Sequence, residues 1–554
     1  MKNLAAQLLL RSRYPFALTA GLLLAASFPK IGLAGLAWAA PAFMLAAAHG
    51  KVGAEAFRIG YVAGLAHNLA SLYWLLLIPV TGYPILGWLA LSAYVALYPA
   101  TWVWLLSGKV GTGSWTQRAA WSLAGAAVWV ALEMIVSRFL GGFPWNLLGN
   151  SQYQMLPLIQ IAALTGVYGV SFLMVWASLC LFSAIRQLLS QPTRRFVWQT
   201  EIVLPLAVVV VVFAFGMSRL REPTMEGPAL RVTFVQPSIP QTMIWDTSAN
   251  SNRFEQLLQL TQRALTNETD LLLWPEAALP EFNETSFTAI TNLIQSHRLW
   301  MIFGADDAER KSSPTATEKY DFYNAAFLFN PEGRYAASYR KQKLVIFGEY
   351  IPLVRWLPFV KWFTPITSGF TPGERVVPFM LDRWSQAPDD PPVHGDSSSR
   401  GGAPHRSVKT ATLICFEDVF PHHVPQYVNE DTDFLVNLTN DGWFGEGAEQ
   451  WQHAAAGVFR AVENGVPLLR SCNNGLTCWI DACGRLRQIF RDPAGSEYGV
   501  GVMSARIPLA ANGEGRSRTF YNGHGDWFGW SCVAVTAVVL LPNLRKITRR
   551  KQVE

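Results

Sequence analysis

The chain is poor in charge: Asp, Glu, Lys and Arg make up 15% of its 554 residues, while apolar residues make up 51%. Soluble domains usually carry about 25% charged residues, so a wholly soluble protein fits this composition badly. Cysteine is scarce as well. The six cysteines form no Cys-x-x-Cys pair and no cluster with metal-ligand spacing, so neither a zinc site nor a disulfide framework can be read from them. Cys180 and Cys532 lie in apolar runs and read as packing residues. The apolar runs have few internal charges, and Glu133 is the one obvious central acid. Without paired intramembrane charges, a transport path is a weak reading. No Ala-x-Ala-like cleavage site accompanies the first apolar run, so that run is expected to remain as a span and not to be removed as a signal peptide.

What is present is unevenly distributed. Apolar stretches fall near 14–29, 34–49, 59–78, 84–107, 119–138, 156–185 and 202–217, with another near 526–543. A spanning helix needs about 20 mostly apolar residues, so eight spans are expected. Lys2, Arg11 and Arg13, then Lys51 and Arg58, Lys109 and Arg118, and Arg186, Arg194 and Arg195 occupy alternate connections, and the tail carries Arg545, Lys546, Arg549, Arg550 and Lys551. Basic residues mark the cytoplasmic side. Both termini are therefore expected inside, with residues 228–505 on the periplasmic face of a bacterial inner membrane. The net charge of +6 reflects this topology, and no nucleic-acid partner is inferred. The resulting organisation is a seven-span unit at 1–227, a water-exposed domain at 228–505, an eighth span at 526–543 and a cytoplasmic tail at 544–554. The stretch 385–407 is rich in Pro, Ser, Gly and Asp and reads as a disordered insertion.

One connector is unusual. Gly141-Gly142-Phe143-Pro144-Trp145-Asn146 runs into Leu147-Leu148-Gly149-Asn150-Ser151-Gln152-Tyr153. Its aromatic residues fit interfacial anchors, and the segment fits equally well a re-entrant loop lining a lipid-accessible site.

Beyond Leu230 the period changes. Short apolar runs at Arg231–Val235, Leu271–Trp274, Trp300–Phe303, Ala325–Phe329, Tyr335–Tyr339, Thr410–Ile414 and Phe434–Asn437 read as strands. Helical stretches are expected near 253–265, 285–297, 418–428 and 449–464. Alternation of this kind predicts an α/β domain, whose ligands gather where strands end. Three such ends carry Glu276, Lys341 and Cys415. A Cys beside a carboxylate and a Lys can perform acyl transfer. The carboxylate removes the thiol proton, and the Lys favours the thiolate and meets the developing oxyanion. Taken singly, each has a plainer reading. A Cys at a strand end is commonly a small buried residue, and a rim Glu or Lys is commonly solvated.

At these residues the sequence resembles the nitrilase superfamily, and more closely its membrane-bound apolipoprotein N-acyltransferase branch. The motifs are Leu273-Trp274-Pro275-Glu276, Tyr339-Arg340-Lys341-Gln342-Lys343-Leu344-Val345, Phe347-Gly348-Glu349-Tyr350-Ile351-Pro352, Ile414-Cys415-Phe416-Glu417, Asn440-Asp441-Gly442-Trp443-Phe444-Gly445 and Arg470-Ser471-Cys472-Asn473-Asn474-Gly475. The Val235-Gln236-Pro237 to Trp245-Asp246 segment and the Phe143-Pro144-Trp145-Asn146 loop also match. The resemblance implies an αββα sandwich and a Glu276–Lys341–Cys415 triad. It assigns Glu349 to organising the triad, Glu417 to flanking the nucleophile and Trp245 to contact with acyl chains or substrate. Ile346 stands where the family often has Pro, and Phe416 where it commonly has Tyr.

The reaction implied is transfer of an sn-1 acyl chain from a phospholipid, phosphatidylethanolamine being the expected donor. The chain passes through a Cys thioester to the α-amine of a diacylglyceryl-cysteine at a lipoprotein N-terminus. No cofactor or metal is implied. An amidase or nitrilase tethered to the membrane would use the same triad to hydrolyse a small C–N bond. The stretch Leu353–Pro372, with Trp356, Phe359, Trp362, Phe363 and Phe370, reads either as a lid dipping into the membrane interface or as a structural loop.

Overall fold

The computed structural model describes residues 13–108, 113–191, 196, 198–221, 228–266, 268–311, 320–352, 369–384, 406–509 and 518–551. The expected insertion lies outside these residues up to 405, and the expected lid lies outside them from 353 to 368. Two compact units are present. One comprises Met1–Leu76, Pro84–Leu220 and Gly523–Glu554, and the other Leu77–Tyr83 and Arg221–Asn522.

The first unit is helical. Tyr83–Ser107, Trp115–Val136, Val167–Ser190 and Gln199–Arg221 are long and apolar enough to cross a membrane. Leu156–Thr165 and Trp527–Leu541 are shorter apolar helices. Several expected spans are interrupted, and the 59–78 run is helical only to Ser71 and continues as the 3-10 turn Tyr73–Leu77. The 34–49 run forms a 3-10 turn, Ala34–Trp38, and then a short helix, Ala40–Ala47. Pro41 opens that helix and has no N–H to extend the preceding turn. The 156–185 run breaks at Gly166, whose φ of +67° cannot continue a right-handed helix. It separates Leu156–Ile159 and Ala162–Thr165 from Val167–Ser190.

The unusual connector is packed inside this unit. Trp145, Leu147, Leu148, Asn150 and Tyr153 are buried, whereas Phe139 and Leu140 are exposed. Glu133 Oε1 accepts from Leu148 N at 2.8 Å and from Trp129 Nε1 at 3.0 Å. Ser171 Oγ accepts from Gly149 N at 2.9 Å. Gln152 donates to Ala34 O and accepts from Trp38 Nε1. Irregular backbone is thus satisfied by protein groups, as a segment at membrane depth requires.

Among the described residues the second unit contains twelve strands: β1 Ala229–Gln236, β2 Leu271–Leu273, β3 Trp300–Arg310, β4 Tyr320–Phe329, β5 Tyr335–Arg340, β6 Pro378–Trp384, β7 Arg406–Ile414, β8 Phe434–Thr439, β9 Leu468–Cys472, β10 Cys478–Ile480, β11 Leu486–Ile489 and β12 Gly501–Pro508. They form two six-stranded sheets, ordered β12-β1-β2-β3-β4-β5 and β11-β10-β9-β8-β7-β6. Among these strands, β1-β2-β3 and β7-β8-β9 pair in parallel. Leu272, Met301, Phe303, Ala325, Phe327 and Phe329 share a core with Leu257, Ile290, Leu293 and Ile294 of the helices Asn250–Ala264 and Glu284–His297. The alternate residues Leu271, Leu273, Ile302, Ala326 and Leu328 are buried too, so this sheet is covered on both faces.

All seven expected strands are present. The expected 418–428 helix is not. Two 3-10 turns, Cys415–Val419 and Val424–Tyr427, take its place. Pro421 and Pro425 remove donors that a helix needs, and Glu417 and Asp418 turn into the interior. Strands β6 and β9 to β12 went unread in the sequence. In β9 the polar residues Arg470 and Ser471 interrupt the apolar run although every residue is buried.

The Glu133 contacts generate a prediction. Glu133→Ala leaves the buried Leu148 N–H without its acceptor, a loss of about 1–3 kcal/mol. Glu133→Gln keeps a carbonyl oxygen at that point and should unfold close to the parent. Thermal unfolding in detergent compares the two, and equal losses would show that the acceptor is unimportant.

Candidate active site

Three loops that follow strands build the site. β2 ends at Leu273, and Glu276 lies just beyond it. Ala277 has a left-handed φ of +52°, which turns the chain sharply after the carboxylate. Strand β3 passes close behind: a Cβ on Gly304 would stand 2.7 Å from both Glu276 Cα and Pro275 O. Only a glycine permits that approach.

Lys341 directly follows β5 and is 1% exposed. Its Nζ donates to Glu349 Oε1 at 2.8 Å and to Glu276 Oε1 at 3.1 Å. Asn324 of β4 donates from the same Nδ2 to Glu276 Oε1 at 2.7 Å and to Glu349 Oε1 at 2.9 Å. Glu349 Oε2 accepts from Val345 N at 2.8 Å, which closes the 345–349 turn. Burial alone would lower the Lys341 pKa, but Glu276 and Glu349 outweigh it and hold the ammonium well above its ordinary value. Glu276 Oε2 is buried and makes no hydrogen bond. One oxygen of this carboxylate is therefore fixed and the other is open to accept a proton.

Cys415 directly follows β7, opening the 3-10 turn Cys415–Val419, and has φ +51°. Burial raises its thiol pKa well above the ordinary range; Glu276 raises it further, while Lys341 opposes. The lysine therefore acts on the thiol in the expected direction, but burial and Glu276 prevail. The resting group is a thiol, not the thiolate that Lys341 by itself would favour. A base must take its proton as it attacks.

Glu417 is fully buried. Its Oε1 accepts from Tyr339 Oη and Gln342 N, each at 2.7 Å, and from Lys343 N at 3.1 Å. Its Oε2 accepts from Ile414 N at 2.8 Å. It therefore links the loop after Lys341 to the turn that carries Cys415. Lys343 points elsewhere, with Nζ 5.5 Å from the Phe420 ring. Phe416 packs edge-on against Phe420 at 4.9 Å and brings no hydroxyl. Trp245 is 45% exposed and is joined to Trp443, edge-on at 5.2 Å.

Asn324 and Tyr339 were not singled out in the sequence. Asn324 had a faint signal, a polar residue opening the apolar end of β4; Tyr339 looked like an ordinary strand aromatic. A second polar cluster was also missed. Asp441, Glu449 and His453 offer oxygen and nitrogen atoms within 4.8 Å of one another, all buried. Both ring nitrogens of His453 already meet carboxylates, and Arg470 bonds Asp418 and Asp441. This chemistry fits an internal ion-pair network better than a metal-ligand set.

A buried Glu–Lys pair beside a strand-end Cys, on two six-stranded sheets and in a chain with spanning helices, defines a membrane-associated enzyme of the carbon–nitrogen hydrolase class. Residues 231–511 match the carbon-nitrogen hydrolase domain, and residues 20–180 match the apolipoprotein N-acyltransferase N-terminal domain. The chain is similar to the apolipoprotein N-acyltransferase of Geobacter metallireducens, 35% identical over 96% of this chain and 95% of the relative. It is also similar to that of Chlorobaculum tepidum, 28% identical over 95% of each. An amidase of the nitrilase superfamily from Nesterenkonia shares 17% identity, with a TM-score of 0.34, covering 52% of this chain and 92% of that one. The chain belongs to the apolipoprotein N-acyltransferase family and is a membrane protein.

Glu417 gives a prediction in pH. Burial would raise its pKa, but His423 together with the bonds from Ile414 N and Tyr339 lowers it below the usual carboxylate value. A lowered folded pKa adds stability that is present above about 4.3 and is lost as pH falls through the folded value. Glu417→Gln should unfold more readily than the parent at pH 7, and the gap should narrow below about pH 4. Unfolding midpoints measured from pH 3 to 7 check this, and a gap independent of pH would contradict it.

Proposed function

We propose that this protein N-acylates lipoproteins, with Cys415 as nucleophile, Glu276 as general base and acid, and Lys341 as oxyanion partner. The carrying observation is the Glu276 carboxylate, one oxygen held by Lys341 and Asn324 and the other buried without a partner. A half-buried thiol within electrostatic reach of a carboxylate with an open oxygen suits concerted deprotonation and attack.

In the first half-reaction the Cys415 sulfur attacks an ester carbonyl of a phospholipid while Glu276 Oε2 takes the thiol proton. The tetrahedral oxyanion forms beside the Lys341 ammonium. Its collapse breaks the ester C–O bond, and Glu276 returns the proton to the leaving lysophospholipid oxygen. A thioester remains. In the second half-reaction the α-amine of a diacylglyceryl-cysteine attacks the thioester carbonyl. Glu276 accepts the amine proton and returns it to the Cys415 sulfur as the C–S bond breaks, leaving an amide, a free Cys415 thiol and an unprotonated Glu276. Phosphatidylethanolamine is the proposed donor and the sn-1 position the proposed ester. Glu349 organises Lys341 and Glu276, Glu417 supports the nucleophile's turn and Trp245 contacts acyl chains.

Both substrates carry long chains, and withdrawing them from the bilayer costs about 0.8 kcal/mol per CH2. Location at the membrane avoids most of that cost. The proposed topology has eight spans in a bacterial inner membrane: seven within 1–227 and one at 526–543, with 228–505 in the periplasm and both termini cytoplasmic. It is supported by the distribution of Lys and Arg among the connections.

The residues should separate by step. Cys415→Ala should abolish acyl-adduct formation and transfer. Glu276→Gln should slow acylation by roughly 10²–10⁴-fold, and Lys341→Ala by about a hundredfold or more. Lys343→Ala, whose side chain leaves the site, should be nearly silent. The readouts are the acyl adduct on Cys415 by intact mass and the rate of peptide N-acylation. Continued transfer by Cys415→Ala would end the covalent mechanism.

Topology is tested separately. A cysteine placed within 385–407 should react with an impermeant reagent in intact spheroplasts. Labelling only after lysis would invert the assignment.

A further inference from the structure

Cys415 adopts a left-handed backbone, φ +51°. Such a conformation costs a residue with a side chain about 1–3 kcal/mol and persists only when its surroundings hold it. Two groups meet its carbonyl oxygen: Asn437 Nδ2 at 3.2 Å and His453 Nε2 at 3.3 Å.

His453 lies on the helix Glu449–Asn464 and is 1% exposed. Its Nε2 is 2.7 Å from Asp418 Oδ1, and its Nδ1 is 3.0 Å from Asp441 Oδ1 and 3.8 Å from Glu449 Oε1. Arg470 Nη1 donates to Asp418 Oδ2 at 2.6 Å, and its Nη2 to Asp441 Oδ2 at 3.4 Å. The Cys472 thiol is 3.9 Å from Asp441 Oδ2. Both ring nitrogens face carboxylate oxygens, so both carry protons and the ring is an imidazolium. Burial and Arg470 lower its pKa, but Asp418 and Asp441 prevail and raise it to about 10. Asp441 in turn raises the pKa of Cys415. A cation bonded to Asp441 offsets that effect.

We propose that His453 is a positioning residue for the nucleophile: with the Asn437 amide it clamps the Cys415 carbonyl oxygen, fixing the strained backbone that presents the thiol, and it offsets the Asp441 charge beside that thiol. The inference deepens the assignment of Cys415 and rests on it. His453 acts through the Cys415 backbone and through Asp441.

The test measures thiol reactivity, independently of acyl transfer. Full-length protein in detergent is treated with iodoacetamide between pH 7 and 9, and carbamidomethylation of Cys415 is followed by peptide mass. His453→Gln removes the charge but leaves an amide of similar reach. The Cys415 pKa should rise further, so alkylation at fixed pH should slow about three- to fourfold after allowing for the greater nucleophilicity of the more basic thiolate. Acylation kcat should fall while KM for the phospholipid stays within about twofold, the pattern of a misdirected nucleophile with binding intact.

Arg460→Met is the control for general loosening. Arg460 lies on the same helix, is buried, and bonds Glu463 at 2.7 and 2.8 Å and Val419 O at 3.1 Å. It should lower stability without changing the pH dependence of alkylation. Asp441→Asn keeps His453 and removes the opposing charge, so alkylation should accelerate. If His453→Gln does not fold, Asp441→Asn decides: alkylation unchanged or slower overturns the proposal. A folded His453→Gln alkylated at the parental rate overturns it as well, as does an equal shift in Arg460→Met. If alkylating Cys415 in the parent leaves N-acylation intact, the nucleophile assignment fails instead, a result distinct from either.

Discussion

The Lys341 ammonium must remain charged where water does not reach, and the site is arranged around that constraint. Desolvating such a group costs several kcal/mol. Glu276 and Glu349 meet it at 3.1 and 2.8 Å and keep it protonated. Two carboxylates around one ammonium leave an excess negative charge, and Asn324 spreads it by donating to both. The arrangement fixes the Glu276 carboxylate by one oxygen and leaves the other free. The polar groups that make the lysine tolerable inside the protein also orient the base.

Glu417 extends this logic from one sheet to the other. Tyr339 belongs to β5 of the first sheet, and Ile414 ends β7 of the second. Both donate to the same carboxylate, together with Gln342 N and Lys343 N. Hydrogen bonds to a charged acceptor are worth about 1.5–3 kcal/mol each, so four converging on one group constrain the loop after Lys341 and the Cys415 turn together. The left-handed residues Ala277 and Cys415 adjoin these supports, where backbone strain is commonly held in functional sites.

The helical unit follows a related rule: backbone that leaves the helix is satisfied by buried side chains. Glu133 and Ser171 accept from Leu148 N and Gly149 N, and Gln152 donates to Ala34 O in the 3-10 turn of Ala34–Trp38. The apolar runs supply the long helices, and a few polar residues within them decide how the interruptions are held.

Apolar run length and the positions of Lys and Arg were enough to separate a membrane-spanning part from an α/β part, because both depend on local composition. Seven strands were legible as short apolar runs ended by turn residues, and Glu276, Lys341 and Cys415 could be marked because each follows one of them. Only the tertiary structure decided that Glu276 and Lys341 share one ion-paired centre with Glu349, because hydrogen-bond partners 65 residues apart leave no periodic trace in the chain. It also replaced the expected 418–428 helix with two short turns, because the inward bonds of Glu417 and Asp418 and the missing donors of Pro421 and Pro425 outweigh helical spacing. Asn324, His453 and Arg470 lay within strands and helices whose pattern was set by their apolar neighbours. Their roles come from burial beside opposite charge, and burial is a property of the folded chain.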